Sequence, residues 1–151
     1  MKLPLTGGCQ CGALRYEITA EPLTVIACHC TECQRQSASA FGMTMPVPAA
    51  ALTITKGQPA HWERTAASGN IVGAVFCEAC GVRLYHEPAN KAFLNVKPGT
   101  LDDASWVSPV GHIWVEHAQP WLRGRLEGVL YPGQQPNMTA LIAAWRDPAE
   151  G

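Results

Sequence analysis

The residues with the most chemistry in this sequence are its seven cysteines, and each belongs to a close-set group. Cys9 and Cys11 form a C-x-C; Cys28, Cys30 and Cys33 form a C-x-C-x-x-C; Cys77 and Cys80 form a C-x-x-C followed by Gly81. Such spacings put sulfurs on one side of a tight turn, within reach of a single ion, and a glycine able to take positive φ favours the turn. Seven thiols leave one over in any full set of disulfides. Seven is also four plus three. A closed structural zinc site takes four protein ligands, whereas a catalytic site takes three and keeps one position for water or substrate. The two pairs supply the four, clamping the N-terminal strand to a later one, and the triple supplies the three. Thiolates favour zinc over magnesium or calcium. An iron–sulfur cluster on four thiolates is the inorganic rival. A redox C-x-x-C is a weaker one, because no βαβ pattern surrounds Cys77 and Cys80. His29, between Cys28 and Cys30, is the nearest nitrogen able to close the triple, but adjacent side chains of an extended segment point apart.

These groups must be positioned by short elements, because fourteen glycines and twelve prolines cut the chain into pieces that favour strands over long helices. Strands are expected at Leu14–Ile18, Val25–Cys28, Phe41–Val47, Leu52–Thr55, His61–Thr65, Ile71–Phe76, Val82–His86, Phe93–Lys97 and, last, His112–Val115. Thr31–Ser37 reads as a short helix with Thr31 as its cap. Met138, Leu141, Ile142 and Trp145 follow the i, i+3, i+4, i+7 spacing of an amphipathic helix, with Asn137 as N-cap and an end before Pro148. The plain reading of that helix is packing on a sheet. Tyr131–Pro136, with two prolines and a glycine, is its linker. With 151 residues and no repeat, the expectation is one domain spanning 1–151, in which 131–151 form the linker and C-terminal helix.

Composition narrows the function. Apolar residues make up 47% and charged residues 15%, so the chain is not disordered. A net charge of −1 gives no basic field for a phosphate backbone, which argues against nucleic acid as a partner. No apolar stretch approaches the roughly 20 residues of a spanning helix. No apolar run precedes the first cysteine, so neither a signal peptide nor a lipid anchor is read, no membrane partner is expected, and a cytoplasmic location is the default. In that reducing compartment the cysteines are thiols, and clustered thiols point to metal or redox chemistry. There is no G-x-S-x-G, phosphate-binding loop or dinucleotide fingerprint.

Three segments together resemble a known family: Gly7-Gly8-Cys9-Gln10-Cys11-Gly12-Ala13-Leu14-Arg15-Tyr16, Cys28-His29-Cys30-Thr31-Glu32-Cys33-Gln34-Arg35 and Phe76-Cys77-Glu78-Ala79-Cys80-Gly81. The sequence is similar to the glutathione-dependent formaldehyde-activating enzymes, also called the centromere protein V type, over roughly residues 5–125. Gly111-His112-Ile113-Trp114-Val115-Glu116 and Pro120-Trp121 add support. The resemblance implies a mainly β, Mss4-like fold of zinc-stapled sheets, with a short helix after the first zinc-binding segment and a C-terminal helix. It implies two zinc ions per chain: a structural one on Cys9, Cys11, Cys77 and Cys80, and a catalytic one on Cys28, Cys30 and Cys33. It implies a carbon–sulfur lyase that joins formaldehyde to glutathione as cosubstrate, giving S-(hydroxymethyl)glutathione. Relatives often carry an Arg-Arg pair and then a glycine after the third cysteine, where this chain has Gln34-Arg35 and Ala38.

An ion with a vacant position lowers the pKa of a bound thiol or water, or polarises an aldehyde oxygen. The reading that follows is a small-molecule thiol attacking an aldehyde carbonyl beside the triple. Three thiolates on a divalent ion leave the site formally anionic, so a nearby cation is wanted. Arg35, two residues after Cys33, is the candidate; its plainer reading is a solvated helix arginine. Glu32 orients a ligand or a water, or is simply a surface carboxylate. His112, Trp114, His117 and Trp121 wall a pocket, or the two indoles are core. His61 and His86 read as structural or surface residues. The alternative function is a non-catalytic zinc-binding interaction or chaperone-like module; a redox or metal-relay protein is a third. A pocket completed by a second copy, a homo-oligomer, is left open.

Overall fold

The computed structural model describes residues 1–66, 69–90 and 92–147. In chain order the elements are β1 (Leu5–Gly8), β2 (Arg15–Ile18), β3 (Ile26–Cys28), α1 (Thr31–Ser37), β4 (Gly42–Pro48), β5 (Leu52–Lys56), β6 (Ala60–Thr65) and β7 (Ile71–Phe76). They continue with β8 (Arg83–Pro88), β9 (Phe93–Val96), β10 (Gly111–Ile113), β11 (Val129–Leu130) and α2 (Thr139–Arg146), with single 3₁₀ turns between some of them. The protein is mainly β with one short early helix and one C-terminal helix, as the sequence predicts. The chain forms two compact units.

The first unit is Met1–Pro22 with Met45–Trp106. β1, β2 and β5 make a three-stranded antiparallel sheet in that order, and the second half of β4 pairs antiparallel with β9, followed by β8, β7 and β6. Alternation decides what is buried: β2 hides Tyr16 and Ile18, and β9 hides Leu94 and Val96, while intervening residues stay partly accessible. β7 is buried through Gly73, Ala74 and Val75. The core gathers Tyr16, Ile18, Met45, Val47, Val75, Leu84 and Val96. β6 ends the order and carries His61, Glu63 and Arg64, charges that discourage further strand addition.

The second unit is Leu23–Thr44 with the chain from Val107 onward. The first half of β4 pairs antiparallel with β3; β3 pairs parallel with β10, and β10 parallel with β11. Ile26, Cys28, Ile113 and Leu141 form its core, against which Cys30, Cys33, Trp114, Val129, Tyr131 and Met138 pack. The buried Thr24 hydroxyl donates to the Leu141 carbonyl at 3.0 Å, fixing α2 to the strand that leads to Cys28.

Several expectations shift. Cys30, not Thr31, is the cap of α1: its sulfur accepts from the Cys33 N–H, and Thr31 is the first helical residue. A sulfur with a free lone pair competes for the amide a threonine hydroxyl ordinarily takes. Asn137 does accept the Thr139 N–H at 3.0 Å, but Met138 stands at the N-cap of α2. Pro148 lies outside the described residues. The last expected strand stops at Ile113, because Trp114 takes a left-handed conformation (φ 58°) that ends the ladder and starts a 3₁₀ turn. β1 and β11 are additional; with two glycines in one and two residues in the other, neither carries an alternating signal.

Candidate metal centres

The four-cysteine group is built by two like turns. In the first, Cys9 N–H donates to Leu14 O and Gly12 N–H to Cys9 O, both at 3.1 Å. In the second, Cys77 N–H donates to Val82 O at 2.9 Å and Gly81 N–H to Cys77 O at 2.8 Å. Gly12 and Gly81 close them at φ 74° and 75°, a conformation expensive for any side chain with a Cβ. The backbone thus folds each pair of sulfurs inward. Cys9 Sγ lies 3.5 Å from Cys11 Sγ, and Cys11 Sγ 3.7 Å from Cys77 Sγ. All four sulfurs fall within 4.8 Å of one another.

A tetrahedral zinc with Zn–S bonds of about 2.3 Å holds its sulfurs about 3.8 Å apart. The observed separations fit that ion. The electrostatics are prepared as well. Burial opposes ionisation of Cys9, but the Leu14 N–H and hydrogen bonds with Cys11, Cys77 and Cys80 outweigh it and bring its pKa to about 6. Backbone hydrogen bonds from Val82 and Cys11 lower Cys80. Cys11 is raised to about 11: a backbone hydrogen bond from Ala13 favours its thiolate, but hydrogen bonds with Cys9 and Cys80 outweigh it. Before any cation arrives, charge collects on part of the set and protons on the rest.

The triple sits at the junction of β3 and α1. Cys28 is buried at the end of the strand beside Ile26, Ile113 and Leu141, while Cys30 and Cys33 are half-buried on the first turn of the helix. Their three sulfurs also lie within 4.8 Å of one another. The Cys33 N–H donates to Cys30 Sγ at 3.4 Å. Hydrogen bonds from Cys28 and Cys33, then the backbone N–H groups of Cys33 and Glu32, bring the Cys30 pKa to about 2 against the opposing effect of burial. The Cys28 thiol is pushed far up, chiefly because it donates to Cys30 and is hydrogen-bonded to Cys33. Among the described residues the group contains no fourth His, Cys, Asp or Glu.

His29 turns away from the sulfurs. Its ring is fully buried, 5.4 Å from Phe41 and 5.2 Å from His112 between centres, and its Nε2 lies 3.0 Å from His112 Nδ1. Burial lowers both histidines, so the pair is neutral. His29 Nδ1 is buried without a partner, a state better tolerated by a bare lone pair than by an N–H; the shared proton therefore belongs to His29 Nε2.

Arg35 lies on the exposed side of α1, with Nη1 donating to Glu32 Oε1 at 2.9 Å. The two side chains pair with each other, and Glu32 reaches Cys30 through its backbone N–H. Trp121 is 61% exposed and so is not core, while Trp114, like Cys30 and Cys33, packs against the Ile26–Cys28–Ile113–Leu141 cluster and donates Nε1–H to Gln134 Oε1 at 3.2 Å. His117 meets Trp114 edge-on at 5.5 Å.

Gln34, which the sequence marks only as a departure from the arginine of relatives, has a structural role. Its Nε2 donates to His29 O at 2.6 Å and His117 O at 3.0 Å, and its Oε1 accepts from Gln119 Nε2 at 2.8 Å. One amide therefore ties the cysteine-bearing loop to the turn after β10. Only tertiary proximity reveals such a role; in the sequence the glutamine is no more than a departure from the relatives' pattern.

The described residues include no helix long and apolar enough to cross a membrane. A crystal structure of a Rhodobacter sphaeroides protein, a Northeast Structural Genomics target, is similar in fold: TM-score 0.54 and 18% identity, covering 83% of this chain and 98% of that one. The sequence model of the glutathione-dependent formaldehyde-activating enzymes matches residues 4–117. With that match spanning most of the chain, the protein belongs to the glutathione-dependent formaldehyde-activating enzyme family.

Proposed function

We propose that this protein is a zinc-dependent carbon–sulfur lyase, joining an aldehyde of the formaldehyde type to a thiol such as glutathione and releasing both in reverse. One observation carries the reading: Cys28, Cys30 and Cys33 converge as a set of three, in a chain whose other set, Cys9, Cys11, Cys77 and Cys80, has four. A staple needs four ligands, and a set of three leaves room for a reactant. Family membership supports the thiol and the aldehyde.

Zinc at the triple would supply Lewis acidity and a lowered thiol pKa. The rest falls to the chain. Cys28 anchors the site in the core, while Cys30 and Cys33 keep an accessible side. Gln34 holds the loop in register through the carbonyls of His29 and His117. Arg35 supplies the cation that offsets the anionic sulfurs, exchanging Glu32 for the reacting pair. In the reaction the thiol gives up its proton, a sulfur–carbon bond forms, the carbonyl π bond opens and its oxygen takes a proton. No oxidant or reductant is needed.

Elemental analysis of untagged protein should give close to two zinc ions per chain. Cys30→Ser should keep its fold, hold one zinc, and no longer speed the exchange between free formaldehyde–glutathione and their adduct, read by NMR exchange spectroscopy. Cys80→Ser should unfold. Arg35→Ala with unchanged turnover and affinity removes that residue from the mechanism. If Cys30→Ser unfolds as badly as Cys80→Ser, the triple is a staple and a non-catalytic module replaces the enzyme.

A further inference from the structure

Beyond the turn that carries Cys77 and Cys80, the first unit gathers cations on one face of its longer sheet. Register puts Trp62, Ala74, His86 and Asn95 in one row across β6, β7, β8 and β9. Arg64, two residues along β6, shares that face. Arg83 opens β8, and its guanidinium stands 5.9 Å from the centre of the Trp62 ring. Its Nη1 donates to His86 Nε2 at 3.0 Å. Because the guanidinium is always charged and only donates, His86 must accept through Nε2 and carry its proton on Nδ1. Burial, with Lys97, Arg83 and Arg64 nearby, holds its pKa down to about 2, so it is neutral.

Arg83 is poorly compensated. Its Nε is buried without a hydrogen-bond partner. Burial and the neighbouring Arg64 both disfavour its charge. The ion pairs among the described residues are Arg15–Asp102, Arg35–Glu32, His61–Glu87 and His117–Glu116, none of which involves Arg64 or Arg83. Glu63 and Glu87 sit in the next row, aligned through Gly73, and so project to the opposite face. Two guanidiniums that never lose their charge thus share one face, both half-buried, with no carboxylate in the paired rows of that face among the described residues. Charge withdrawn from water is retained at low cost only when it is paired.

We propose that Arg64 and Arg83, walled by Trp62, form a binding site for a small oxyanion, a carboxylate or a phosphate. Guanidinium forks match both groups, two N–H donors to two oxygens. The Trp62 ring holds Arg83 in place by a cation–π contact and offers an apolar surface to the remainder of the ligand. The proposal does not depend on the thiol–aldehyde chemistry.

The test is a titration of the ¹⁵N-labelled full chain with succinate and, separately, with inorganic phosphate at constant ionic strength. The Trp62 indole N–H, assigned by its loss in Trp62→Phe, and the Arg83 Nε–H should shift saturably. Arg64→Gln and Arg83→Gln should each weaken binding at least tenfold. Tighter binding of succinate identifies a carboxylate site, and tighter binding of phosphate a phosphate site. If Arg83→Gln fails to give a folded spectrum, Arg64→Gln decides. No saturable shift with either probe, or equal affinity in the variants, overturns the proposal.

Discussion

Gln34→Ala tests whether a single amide holds the three-cysteine loop in place. The substitution removes three hydrogen bonds: to His29 O at 2.6 Å, to His117 O at 3.0 Å, and from Gln119 at 2.8 Å. The His117 contact is solvent-exposed, so water replaces it at little cost. The other two are partly buried and contribute about 1 kcal/mol each, giving a loss of about 2 kcal/mol. For a chain of this size that lowers Tm by about 4–8 °C. The assay is urea unfolding of the metal-loaded protein, paired with chelator competition for each zinc. Zinc loaded on Cys28, Cys30 and Cys33 should leave earlier than in the wild type, while zinc loaded on Cys9, Cys11, Cys77 and Cys80 is unaffected, since the partners of Gln34 are His29, His117 and Gln119. Gln34→Arg should lose less, about half as much, because it restores donors to both carbonyls and forfeits only the acceptor for Gln119. A Gln34→Ala protein within about 0.5 kcal/mol of wild type, with unaltered zinc retention, would refute the reasoning.

Two further predictions follow from local strain and from burial. Ala38 ends α1 in the left-handed region at φ 48°, where an L-residue costs about 1–2 kcal/mol; Ala38→Gly relieves this but loosens the unfolded chain, for a net gain of about 0.5–1 kcal/mol by urea denaturation. His86 is held neutral by burial, with its folded pKa depressed to about 2 from an ordinary 6.5. Its contribution to stability is therefore full above pH 6.5 and is lost as pH falls below that value, because the unfolded chain binds the proton first. Wild-type protein should lose about 1.4 kcal/mol more than His86→Gln between pH 7.5 and 5.5, measured by unfolding at each pH; parallel curves for the two would show that His86 titrates as an exposed histidine does.

The sequence by itself determined the close-set cysteine groups and the strand-rich architecture. Cysteine spacing is local chemistry: two sulfurs separated by one or two residues and closed by a glycine can face only one way, so Cys9 with Cys11 and Cys77 with Cys80 were legible before any fold was known. Thr31–Ser37 was legible down to its bounds, and most strands to within a residue or two, because alternation and punctuation act over a few residues. What the tertiary structure decided lies in side chains whose partners are distant in sequence. Gln34 finds Gln119, and His29 finds His112, only because β3 and β10 pair in parallel. Arg83 finds Trp62 and Arg64 only across the β6–β7–β8 ladder. Short-range geometry writes the candidate metal ligands into the chain, whereas hydrogen bonds and charges between distant strands exist only once pairing register has set which residues stand opposite each other.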